Sequence, residues 1–87
     1  MTHTHDHAPL AFWMPATYRI RVQGGLDVRW SERLGGLEMT VSHLGQQGAV
    51  TTLLGPVRDQ AELIGIVNSL YDLRLPLLSV ELLNLSA

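Results

Sequence analysis

Between Gly55 and Leu83 the chain reads GPVRDQAELIGIVNSLYDLRLPLLSVELL, and no other segment could form a helix of comparable length. Gly55-Pro56 is a strand breaker, and Asp59 followed three residues on by Glu62 has the spacing of a capping box. Leu63, Ile64, Val67, Leu70 and Tyr71 recur at helical spacing, which predicts one amphipathic helix with this stripe turned to the core. Pro76 bars its continuation. Leu78, Val80 and Leu82 then alternate with Ser79, Glu81 and Leu83, the pattern of a closing strand. Gly65 costs a helix roughly 1 kcal/mol against alanine, so its presence predicts close approach to the sheet or to another subunit.

Upstream, Tyr18, Ile20 and Val22 alternate with Arg19, Arg21 and Gln23, the period-two signature of a strand buried on one face. Gly24-Gly25 ends it. Leu26, Trp30 and Leu34 are spaced by four, with Asp27 placed to cap and Gly35-Gly36 placed to stop, which predicts a helix of about two turns. Leu37, Met39 and Val41 alternate with Glu38, Thr40 and Ser42, and AVTTLL (Ala49 to Leu54) follows the turn-forming HLGQQG, so these two strands read as a hairpin. Adjacent Leu53 and Leu54 leave the buried face of the later strand open. If Thr51 and Leu53 face in, Val50, Thr52 and Leu54 face out.

The order strand, short helix, strand, strand, long helix, strand closes into a four-stranded antiparallel sheet with both helices on one face, an α+β, ferredoxin-like βαββαβ arrangement. The expected domain covers residues 17–85, behind an N-terminal tail of residues 1–16. Its open sheet face would carry Arg19, Arg21, Gln23, Glu38, Thr40 and Glu81.

The stretches WSERLGGL (Trp30 to Leu37), GPVRDQAELIGIV (Gly55 to Val67) and LRLPLLSVELL (Leu73 to Leu83) resemble a family of short, uncharacterised bacterial proteins. Relatives share a Trp-Ser…Gly-Leu element, a Gly-Pro…Asp-Gln-Ala-x-Leu-x-Gly helix start and a Leu-Pro-Leu-Leu-Ser-Val strand. The resemblance implies no activity. Where relatives often have an aromatic pair this chain has Arg33 and Leu34, and where they often have a histidine it has Ile64. The matching residues Trp30, Gly55, Pro56, Asp59, Gln60, Gly65 and Pro76 are turn, cap and packing types.

Composition narrows the chemistry. None of the 87 residues is cysteine, which excludes thiolate metal sites, disulfides and cysteine nucleophiles. All six basic residues are arginine, which excludes lysine Schiff bases. A net charge of −2 offers no bulk attraction to nucleic acid or anionic membrane. No signal peptide or membrane span is visible, so a cytoplasmic location is expected. His3, His5 and His7, with Asp6 among them, could chelate Zn, Ni or Cu, but a tail without an oriented second shell predicts weak, incidental binding. No catalytic residue or cofactor site is identified: there is no triad, phosphate-binding glycine loop or pair of acids on one element.

Two function classes follow. Phe12, Trp13, Leu54, Ile66, Leu77 and Leu83 fall outside the stripes that fill a single-layer core, and this surplus points to a contact surface. The leading expectation is a non-enzymatic homodimer, a small interaction or regulatory module with a protein partner. The alternative is a sensor resembling ACT-type domains, holding an anion at a dimer interface beside Gly24 and Gly25 or on the open face through Arg19 and Arg21. Against it, Arg19 and Arg21 have Glu81 and Glu38 as ordinary cross-strand partners. An enzyme ranks third, resting on fold analogy alone.

Overall fold

A computed structural model describes residues 14–43 and 48–85. Four strands, β1 (Ala16–Gln23), β2 (Glu38–His43), β3 (Ala49–Val57) and β4 (Leu77–Leu85), form one antiparallel sheet in the order β2-β3-β1-β4. A 3-10 helix (Val28–Leu34) joins β1 to β2, and α1 (Gln60–Asp72) joins β3 to β4. The fold is therefore α+β, with a four-stranded antiparallel sheet and two helices. No helix among the described residues is long and apolar enough to cross a membrane.

The alternation in β1 is fully expressed: Ala16, Tyr18, Ile20 and Val22 are buried on the helix side. Register places Leu53 and Thr51 beside Ile20 and Val22, so Thr51 and Leu53 face in and Thr52 and Leu54 face out. Leu34, Leu37, Ile66 and Leu70 complete a single core, with Trp30, Met39, Leu63, Leu73 and Leu75 packed around it. Thr51 is its one buried polar residue, and is satisfied. Its hydroxyl donates to the Gly24 carbonyl at 2.6 Å and accepts the Leu26 amide at 3.1 Å, tying the end of β1 to β3.

Two expectations need correction and two are narrowed. The short helix is 3-10 throughout, with Asp27 and Gly35 in the cap and stop roles expected: Asp27 Oδ1 accepts the Arg29 amide, and Gly35 turns left-handed at φ 78°. Gly55-Pro56 does not end β3, which runs on to Val57. The β2 ladder stops at the Glu38–Leu54 pair, so beyond Leu54 that side of β3 is an edge, where a proline without an N–H is tolerated. In α1 the sheet-facing residues are Ile66 and Leu70, flanked by Leu63 and Leu73, while Ile64 and Tyr71 are exposed. Gly65 approaches nothing within this chain: a Cβ built there meets no atom within 4 Å.

The capping box forms in a shifted version. Asp59 Oδ1 accepts the Glu62 amide at 2.9 Å, and the Glu62 carboxylate reaches back one residue further, to the Arg58 amide at 2.7 Å. In β4, register irregularities at both ends break the strict alternation. Leu77, Val80, Leu82 and Leu85 oppose the buried residues of β1 and share its helix-facing side, leaving Leu78 and Leu83 as the unpaired extra residues.

Candidate functional site

Three places could hold function: the open sheet face, the cleft beside Trp30, and the surface of β4. On the open face, Arg19 and Arg21 stand where the alternation put them, but Arg19 is engaged. Its Nε donates to Glu81 Oε1 at 2.9 Å across the β1–β4 pair. That hydrogen bond holds the Glu81 carboxyl below its ordinary range, with the charges of Arg19 and Arg21 adding to it, and holds the Arg19 guanidinium above its own. Arg21 lies between Thr52 and Ser79 in register. Ser79 Oγ is buried there without a hydrogen-bond partner.

Gly24 is structural in this arrangement, whereas Gly25 is exposed with ordinary room for a side chain. Gly24 sits at φ 115°, its amide donating to the Ala49 carbonyl and its carbonyl accepting from Thr51, and a Cβ on it would press on Leu75 at 2.9 Å. Its polar backbone atoms are thus used within the fold.

Trp30 is half-buried, with the Arg33 guanidinium 5.2 Å from its ring centre. Two shallow clefts of about 330 and 240 Å³ adjoin this stack. Arg29, Trp30 and Arg33 line the first, and Trp30, Arg33, Ser69, Asp72 and Leu73 the second. Arg29 is already bound to Asp27 through its amide, Nε and Nη2, and the Asp27 carboxyl is held low by the side-chain bond. No group of three or more metal-ligating side chains occurs among the described residues. His3, His5 and His7, and the interface candidates Phe12 and Trp13, lie outside the described residues. His43 ends β2 rather than standing in a turn.

The remaining interface candidates separate. Ile66 is a correction: it is 4% exposed, packed in the core beside Gly35, so it is closed to a partner. Leu54 is half-buried on the open face, whereas Leu77 and Leu83 are exposed on β4. They are part of something larger. Of the ten large apolar side chains exposed among the described residues, six lie on β4 and two, Ile64 and Tyr71, on α1.

Helix placement explains this concentration. The 3-10 helix packs on β2, α1 packs on β3 and on the 3-10 helix, and β4 packs chiefly against β1. One flank of α1, bearing Glu62 and Ile66, abuts Gly35 at the end of the 3-10 helix. Gln60, Ile64, Val67 and Tyr71 lie on the opposite flank at spacings of three and four. The Gln60 amide reaches the Tyr18 hydroxyl at 3.1 Å, which fixes this flank over β1 and turns it toward β4. The result is an apolar shelf, β4, below an apolar wall, α1. Pattern reading missed Val80, Leu82, Ile64 and Tyr71 as surface because it assigned them to the core. The apolar surplus was visible in the sequence, but of the described residues it was assigned to Leu54, Ile66, Leu77 and Leu83.

A family model described as a domain of unknown function (DUF8691) matches residues 17–81. No curated protein and no solved structure matches the chain.

Proposed function

The chain belongs to that family, and on this premise we propose that it is a ferredoxin-like homodimer that works by protein contact, as a small interaction or regulatory module. The concentration of exposed apolar side chains on β4 and the adjoining flank of α1 supports this reading. Scattered exposed leucines are ordinary, but a contiguous set in a small domain marks a contact surface. A domain this small also gains stability by associating. Sedimentation equilibrium across the micromolar range tests it: the expected result is a monomer–dimer equilibrium, and a strict monomer throughout overturns it.

One observation favours a second reading, a sensor for a small anion on the open face. Ser79 Oγ is buried without a partner beside Arg21, and a hydroxyl and a guanidinium together suit a carboxylate or phosphate. The expected result for this reading is saturable thermal stabilisation by an organic anion, lost in Arg21→Ala. No stabilisation across amino acids, nucleotides and organic acids would remove it.

A further inference from the structure

We propose that the dimer forms through the free edge of β4, two copies pairing β4 antiparallel about a two-fold axis at Val80 to make one continuous eight-stranded sheet. This rests on the homodimer reading above and names its surface. Among the described residues β4 ends the sheet, and no described strand pairs with the backbone groups on its outer side. At nine residues and about 3.4 Å each, the edge runs roughly 30 Å. It carries no proline, lysine or arginine, and its only charge, Glu81, is tied to Arg19 within the sheet. An edge so long and apolar is a template for another strand.

The occupant follows from the charges and faces of β4 itself. A two-fold axis perpendicular to the sheet keeps each face on its own side, so directly opposed residues must share a face. Centring the axis on Glu81 would set two carboxylates opposite each other, which destabilises a strand pair. Centring it on Val80 avoids this. Val80 then meets Val80 of the second copy on the helix side, and Leu82 of each meets the irregularity at Leu77 and Leu78 of the other. On the open face Ser79 comes opposite Glu81 of the second copy. That sets a neutral serine, rather than a second carboxylate, opposite each Glu81. Ile64 and Tyr71, exposed on the flank of α1 that faces away from the 3-10 helix, add apolar surface on the same side of the sheet. The edge thus complements a second copy of itself in shape, polarity and charge.

Val41 on β2 gives a matched control. Val41 and Val80 are both on edge strands, both on the helix-facing side, and both 39% exposed. Val80→Lys, which sets two ammonium groups at the axis, is expected to weaken association by about 100-fold, while Val41→Lys leaves it unchanged. Far-UV circular dichroism checks that both are folded. Because the chain has no cysteine, Val80→Cys adds a single thiol and is expected to give a disulfide-linked dimer on mild oxidation, with Val41→Cys staying uncrosslinked. A wild-type dimer that survives Val80→Lys overturns the β4 seam and leaves the homodimer reading standing. A strict monomer overturns both. If Val80→Lys fails to fold, the absence of a Val80→Cys crosslink in an otherwise dimeric chain overturns the seam.

Discussion

The two edges of this sheet are built alike and finished differently. β2 and β4 are both antiparallel edge strands with apolar residues on the helix side and polar ones on the open face. β2 is six residues long and has the 3-10 helix lying on it. β4 is nine residues long, and among the described residues it packs chiefly against β1. The reason is helix position: the short crossover keeps the 3-10 helix over β2, and α1, about 20 Å long, settles beside it over the centre of the sheet. One edge has a helix packed on it, and the other carries six of the ten large apolar side chains exposed among the described residues. A small fold with two helices over four strands can cover only part of its apolar face, and among the described residues most of the deficit falls on the β4 side, with Val41 on β2 exposed as well.

The largest expected effect separates the two edges by the same substitution. Leu34 is fully buried beneath the covered side, whereas Leu82 is 41% exposed on the open one. Leu34→Ala should cost about 2–5 kcal/mol through the cavity it leaves. Leu82→Ala, measured where the chain is monomeric, should cost under about 1 kcal/mol. Urea titration of both variants checks the contrast, and equal costs would mean that the β4 side is closed even in the single chain.

Next in size is Gly55, which lets the covered side close. A Cβ there would stand 2.9 Å from Leu37 Cδ2, and Leu37 is 1% exposed and leads directly into β2. Gly55→Ala is expected to destabilise by about 1–3 kcal/mol, because a packed core yields poorly to an added methyl group. The same experiment on Gly65 should have the opposite sign. That glycine sits in α1 with open space where its Cβ would be, so Gly65→Ala should add about 0.5–1 kcal/mol. Thermal melts of the two alanine variants beside the wild type give both signs. A loss at Gly65 in the dimer, with a gain in the monomer, would extend the contact surface from the α1 flank onto its back.

Element order was legible in the sequence because period-two and helical spacings are local signals, and each of the six elements carries one. What the sequence could not convey is which way two-sided elements turn. α1 holds one apolar set, Leu63, Ile66 and Leu70, and a second, Ile64, Val67 and Tyr71, on the neighbouring flank. Periodicity finds a stripe in either set, and only packing against the 3-10 helix and the sheet chooses between them. β4 misleads for a related reason: irregularities at Leu78 and Leu83 shift its faces, and they are set by pairing with β1. Gly55-Pro56 reads as a break in one dimension, yet is acceptable in a strand whose neighbour has already ended. The arginines were placed correctly and Arg19–Glu81 was foreseen as a cross-strand pair, since alternation determines both.

That pair gives the smallest effect, and it tests how the seam between β1 and β4 is held. Arg19 holds the Glu81 carboxyl below its ordinary value, so the unfolded chain takes up the proton more readily than the folded one. The contribution is therefore complete above the ordinary carboxylate range and is lost as pH falls through the lower, folded value. Both side chains are partly exposed, at 33% and 42%, so solvent and salt screen the interaction. Glu81→Gln removes the titration while keeping the shape. The wild type should melt a few degrees above Glu81→Gln at neutral pH, and the gap should close as the pH falls below the ordinary carboxylate range. Asp27, whose carboxyl is also held low, by Arg29, is present in both proteins and cancels in the difference. The gap should also shrink in high salt. A gap that ignores both acid and salt would mean that charge plays no part at this seam, and that β4 is joined to β1 by its backbone ladder and its apolar side chains alone.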